Sequence, residues 1–197
     1  MTSKLDTLER FHAKTRNAWR AWLRKNHRTS PGVWLVTYKK ATGKPRIDYE
    51  EAVEELLCFG WVDSLPRALD AERSMLLCTP RKPKARWSRL NRERVAKLEA
   101  EGKMAPRGLE VVALAKKSGA WDALNEVESL TVPPDLKAAF KLHPGSESYF
   151  DAFPRSVTRA ILEWILQAKK PETRAKRVAE TAQQAAKNIR ANQWRSL

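Results

Sequence analysis

Near the start of the chain Leu8, Phe11, Thr15, Ala18 and Trp22 recur at helical spacing, and the pattern continues to about His27. Asp6 followed by Glu9 has the form of a capping box, so a long first helix is expected here, with Arg10, Lys14, Arg16, Arg20 and Arg24 on its other face. After Ser30-Pro31-Gly32 the pattern changes. Val33-Trp34-Leu35-Val36-Thr37-Tyr38 is β-branched, aromatic and short, which predicts a strand. Thr42-Gly43-Lys44-Pro45 predicts a turn, and Asp48 with Glu51 a second capping box ahead of Ala52, Val53, Leu56 and Leu57, in a helix that Gly60 ends. Trp61 to Pro80 alternates weakly, which predicts two or three short strands joined by a turn at Asp70 to Arg73 and paired with the Trp34 strand. Ser88 suits an N-cap for a helix from Arg89 to about Glu101, stopped by Gly102, and a further helix fits Arg107 to Lys117 before Gly119.

The remainder reads as helical. Pro134 to Leu142 and a short segment around Tyr149 to Phe153 come first. Val157, Ile161, Trp164, Ile165 and Ala168 then form an amphipathic stripe, and Pro171 suits the first position of a last helix, Glu172 to about Arg190, so these two form an αα-hairpin. The end, Asn192 to Leu197, is expected to fray. The fold expected is α+β and predominantly helical: a small antiparallel sheet packed against helices in a domain over 1–130, then a helical region over 131–197 packed on the first.

Composition narrows the class. With 42% apolar residues, seven glycines and eleven prolines in 197 residues, the chain is neither disordered nor collagen-like. No uncharged apolar run approaches the roughly 18 residues a membrane span needs, and Met1 to Arg10 carries charge where a signal peptide is apolar, so the expected location is cytoplasmic. Cys58 and Cys78 are too few for a disulfide framework, and His12, His27 and His143 are scattered, so no metal and no cofactor is expected. The phosphate-loop, dinucleotide, zinc-protease and serine-hydrolase motifs do not occur, which removes support from most enzyme classes.

Charge changes the picture most. The net charge is +15, with +6 over residues 1–28, +7 over 80–107 and +6 over 165–197, while residues 46–73 carry eight acidic and three basic groups for −5. Such a field attracts polyanions, so nucleic acid or another polyanion is one class of partner, although the same excess also describes a plain solvated surface.

Within it, Trp87 is interleaved with Arg81, Lys84, Arg86, Arg89, Arg92 and Arg94, and Ser88 would open a helix N-terminus beside Asn91. Stacking with phosphate contact needs this mixture. The competing reading packs Trp87 in the core and pairs the arginines with the acidic stretch. Lys39 and Lys40 extend the basic set, and Lys169, Lys170, Thr173, Arg174 and Arg177 form another at the hairpin bend, where a solvated helix end competes with an anion site. Asp63, between Trp61 and Leu65, is the one carboxylate in markedly apolar company. It suits a general base in a pocket beside Trp61 and Arg81, or a satisfied structural partner. Cys58 reads as an inert core thiol.

Several stretches together resemble the YdeI/OmpD-associated family, known also as the bacteriocin-protection family. They include Gly32-Val33-Trp34-Leu35 with Tyr38-Lys39-Lys40, Tyr49-Glu50-Glu51-Ala52-Val53 and Cys58-Phe59-Gly60-Trp61-Val62-Asp63-Ser64. Thr79-Pro80-Arg81, Trp87-Ser88 with Asn91, Trp164-Ile165 with Ala168-Lys169, and Glu172-Thr173-Arg174 with Arg177 follow in order. The resemblance implies a small bacterial stress-protection or binding protein, leaning away from an enzyme and linked to tolerance of bacteriocins or cationic antimicrobial peptides. It further implies an outer-membrane porin or peptide-stress partner; a homo-oligomer is also open. A +15 chain repels a cationic peptide at long range, so direct capture requires the acidic 46–73 surface or an apolar groove.

Overall fold

The computed structural model describes residues 5–193. It is α+β and predominantly helical, with one four-stranded sheet, and its chain divides into two compact units, residues 1–122 and 123–197.

The first unit contains β1 (Arg10–His12), α1 (Arg16–Asn26), β2 (Val33–Tyr38), a 3-10 turn (Lys40–Thr42) and α2 (Tyr49–Cys58). After these come β3 (Trp61–Ala68), β4 (Arg73–Pro80), α3 (Arg89–Ala100) and α4 (Pro106–Lys117). The first helix is shorter than its periodicity predicts. Phe11 lies on β1, paired in parallel with Leu35 of β2, and α1 starts only after Thr15, whose hydroxyl accepts from the Ala18 amide as its N-cap. Three residues of strand pairing thus override the helical spacing and the Asp6/Glu9 signal. The sheet is consequently mixed rather than antiparallel, in the order β1-β2-β4-β3, with only β1 parallel to its neighbour.

The second capping box is present as read: the Asp48 side chain accepts from the amide three residues on, and Glu51 reaches back to the Asp48 amide. Ser88 caps α3 through the Asn91 amide. One face of the sheet, through Val33, Leu35 and Cys78, joins a core with Trp19, Leu23, Leu56, Leu57, Trp61 and Trp87; the other buries Trp34, Val36, Met75 and Leu77. Fully burying side chains of this size contributes about 2 to 3 kcal/mol each.

The second unit is helical: α5 (Asn125–Glu128), α6 (Pro134–Lys141), α7 (Ser146–Asp151), α8 (Arg155–Leu166) and α9 (Pro171–Ala185). Leu136, Phe140, Phe150, Ile161, Leu162, Ile165 and Ala182 form its core. The αα-hairpin of α8 and α9 is present, and Pro171 occupies the first helical turn as expected. α9 ends at Ala185 instead of running to Arg190, and Asn188 takes a left-handed conformation beyond it. The four-residue α5 has no periodicity long enough to read from the chain. Of the segment expected to fray, Trp194 to Leu197 lies outside the described residues.

Candidate functional site

A cleft of about 430 Å³ opens on the helix-covered face of the sheet. β2 contributes Leu35 and Thr37, the segment entering α2 contributes Arg46 to Tyr49 with Ala52, β3 contributes Asp63, Ser64 and Pro66, and β4 contributes Ser74, Met75 and Leu76. Two local features place its polar groups. β3 is an edge strand with a bulge: Asp63 lies opposite Cys78 and Pro66 opposite Leu76, so two residues of β3 face one of β4. Pro66, with no N–H to give the ladder, suits that edge position. On the other wall, Asp48 as N-cap makes Tyr49 the first residue of α2 and turns its ring to the cleft mouth, where the residue is 54% exposed.

The Tyr49 hydroxyl donates to Asp63 Oδ2 at 2.9 Å. Burial and this bond push the Tyr49 phenol up to about 12, so at neutral pH it is a donor and not a base. Asp48 is already engaged by the capping box and by Arg46. Asp63 therefore presents the carboxylate oxygen with spare acceptor capacity, set among Leu35, Ile47, Leu76 and the Tyr49 ring. Among the lining residues only Asp48, Asp63 and Tyr49 can exchange a proton, and no lining hydroxyl has a histidine beside it. The arrangement suits recognition of a cation with an apolar stem: carboxylate, aromatic face and aliphatic walls.

Asp63 does not share this cleft with the partners expected for it. Trp61 is buried and donates from Nε1 to His27 O at 3.0 Å. Arg81 is 6% exposed, lies 3.9 Å over the Trp87 ring and donates to Arg86 O at 3.0 Å. Burial lowers Arg81 to about 10 against the opposing field of Asp63, and among the described residues it forms no ion pair and its Nε meets no partner. Trp87 is 1% exposed and packs on Trp121, so its ring is core and not a stacking platform.

The other basic candidates are dispersed, and many are occupied. Lys39 Nζ donates to Asp70 O at 2.8 Å and Ala71 O at 3.0 Å, closing the β3–β4 turn. Asn91 accepts from Arg94, which also pairs with Glu50, and Lys97 pairs with Glu54 at 3.3 Å. Arg174 grips Asp135 through two bonds of 2.7 and 2.9 Å, and Arg177 lies over the Trp164 ring and donates to Trp164 O. Both arginines fasten α9 to other helices of its unit. Lys40, Lys84 and Lys169 are exposed, Thr173 and Arg86 are half-buried, and Ser88 is spent as a cap. Cys58 and Cys78 are buried thiols that burial holds protonated. Tyr49 and Arg46 were missed as site residues, since only the bulge and the capping box bring Tyr49 to Asp63 and set Arg46, paired with Asp48, in the cleft wall; the Asp48 capping signal was the available clue.

Among the described residues no helix is long and apolar enough to cross a membrane, and no group of three or more metal-ligating side chains occurs. Comparison with curated proteins gives no match, and neither does comparison with solved structures. Two family models do match: the bacteriocin-protection, YdeI or OmpD-associated family over residues 129–188, and a domain of unknown function over residues 11–111, which contains the whole cleft. Residues 129–188, in the second unit, are similar to the bacteriocin-protection, YdeI or OmpD-associated family, and by the longer match, just over half of its length, the chain belongs to the family described as Domain of unknown function (DUF8412).

Proposed function

We propose that the protein is a binding protein of the bacteriocin-protection type whose receptive part is the Asp63–Tyr49 cleft, and that its ligand is a basic amphipathic peptide segment. The single observation carrying this reading is where the cleft comes from. Eight of its thirteen lining residues belong to the acidic stretch 46–73 of a +15 chain, and its charged groups are two carboxylates, Asp48 and Asp63, against one cation, Arg46. A lysine or arginine side chain entering it lays its methylenes on Leu35, Ile47 and Leu76 and sets its charge against Asp63, with the Tyr49 ring alongside. The bacteriocin-protection description of the family that residues 129–188 match is the reason for choosing a peptide as the ligand, although that segment lies outside the cleft.

Titration of a lysine-rich amphipathic peptide by calorimetry tests this. Saturable binding is expected, with Kd raised at least tenfold in Asp63→Asn and less in Tyr49→Phe. Because the whole molecule repels a cation, the association rate should rise with added salt. Absence of saturable binding, or an Asp63→Asn variant that binds as tightly as the parent, overturns the reading.

A further inference from the structure

A second depression of the first unit, of about 280 Å³, lies where the ends of α1 and α2 meet the first turn of α4, with His27, Arg28, Phe59, Trp61, Arg107 and Glu110 among its walls. We propose that it binds a small oxyanion, a carboxylate or phosphate group, independently of the peptide cleft.

The walls are set before any ligand arrives. His27 Nδ1 lies 2.8 Å from Leu23 O, and a carbonyl only accepts, so Nδ1 carries a proton and donates it to the last turn of α1, which fixes the ring. The imidazole packs on Phe59 with ring centroids 5.1 Å apart, and the His27 carbonyl accepts from Trp61 Nε1, which ties the turn to β3. Arg107 reaches the site because α4 runs unusually close to the end of α2. Gly60 is left-handed, with φ +71°, and a Cβ there would stand 2.8 Å from Val111; a Cβ on Gly108 would run into the Cys58 carbonyl.

Two exposed arginines, Arg28 and Arg107, therefore line the depression from different elements. Arg28 has no ion-pair partner among the described residues. Arg107 meets only Glu110, at 3.1 Å, and both are about half exposed, so that pair costs little to open. Two cations against one carboxylate leave the walls positive. A cation beyond the C-terminus of α1 is accounted for by the helix dipole, but that effect does not bring Arg107 in from another helix. The planar guanidinium fork matches the geometry of carboxylate and phosphate oxygens.

Titrations with sodium phosphate and with sodium acetate, at ionic strength held constant with chloride, test this by NMR of the His27 ring and the Gly60 amide. Saturable shifts at these two positions are expected, with Kd raised at least tenfold in Arg28→Ala/Arg107→Ala and unchanged in Lys137→Ala/Lys141→Ala, which removes the same charge from the second unit. Tighter binding of phosphate assigns the site to phosphate groups, and tighter binding of acetate to carboxylates. Non-saturating shifts spread over the cationic surface, or a double arginine variant that titrates like the parent, overturn the proposal.

Discussion

Glu55 is 1% exposed and ion-paired on both sides: Arg16 and Arg20 of α1 each hold one of its oxygens at 2.6 Å. Removing one member of such a cluster leaves the others desolvated and unpaired, a loss that reaches 3 to 5 kcal/mol when both sides are buried. Here the two arginines keep about a quarter of their side-chain surface in water and can turn outward. Glu55→Ala should therefore cost about 2 kcal/mol in urea unfolding, with Glu55→Gln intermediate. His12 makes a second prediction. Its Nε2 is buried without a partner, its ring meets Tyr38 edge-on at 4.7 Å, and burial, with Arg73 and Lys14 nearby, holds its pKa below the usual 6.5. The unfolded chain takes up this proton at higher pH than the folded one. Stability from His12 is thus whole above about pH 6.5 and is lost as pH falls through the folded value, with a slope of at most about 1.4 kcal/mol per pH unit. Comparing unfolding at several pH values in the parent and in His12→Phe isolates this component, which should vanish in the variant. Neither side chain announces its role in the sequence: Glu55 is one of four glutamates in α2, and only the approach of α1 selects it.

Elements were most legible where a local signal and a period agreed. Asp48 with Glu51 opened α2, Ser88 opened α3 and Pro171 opened α9, each because backbone N–H groups need a partner that short polar side chains supply, or because proline lacks the N–H altogether. Where a signal stood against a long-range pairing it failed. Asp6 with Glu9 looked like a helix start, but the backbone of Arg10 to His12 pairs with β2, more than twenty residues away. The bulge that aims β3 into the cleft was likewise invisible, because it depends on register with β4. The packing of α2 on α4 gives this scale its prediction. Gly108 sits inside α4, where alanine is intrinsically better by about 1 kcal/mol. Its Cβ would collide with the Cys58 carbonyl, which is backbone and already accepts from the Ala105 amide, so it cannot swing aside like a flexible side chain. Gly108→Ala should therefore destabilise, by about 2 kcal/mol or more, and a gain in thermal unfolding temperature would show that α4 can shift outward without cost.

At the scale of the whole molecule, the +15 charge invites a nucleic-acid reading, but many of the arginines that would serve it are already engaged within the fold. The three basic segments were visible in the sequence, but their use was not, since it depends on which carboxylates and carbonyls the fold brings near. The acidic stretch absorbs cations from both neighbours: Arg16 and Arg20 bind Glu55, Arg94 binds Glu50 and Lys97 binds Glu54. Arg81 lies under Trp87, and in the second unit Arg174 is spent on Asp135 and Arg177 on the Trp164 carbonyl. A phosphate backbone would have to strip these contacts or be held by exposed cations that no ion pair engages among the described residues, such as Arg24, Lys25 and Arg28 near the end of α1, or Lys40, Lys84 and Lys169. Long-range attraction survives all of this, because it depends on net charge, while tight binding needs several simultaneous phosphate contacts. Random-sequence DNA should therefore bind at low ionic strength and be lost by about 0.15 M salt, with a log–log slope corresponding to only two or three phosphates. Fluorescence anisotropy over a salt series measures both quantities. Binding that persists at that salt with a slope of six or more phosphates would mean that the committed arginines are released on contact, and would make the basic surface, not the Asp63 cleft, the primary site.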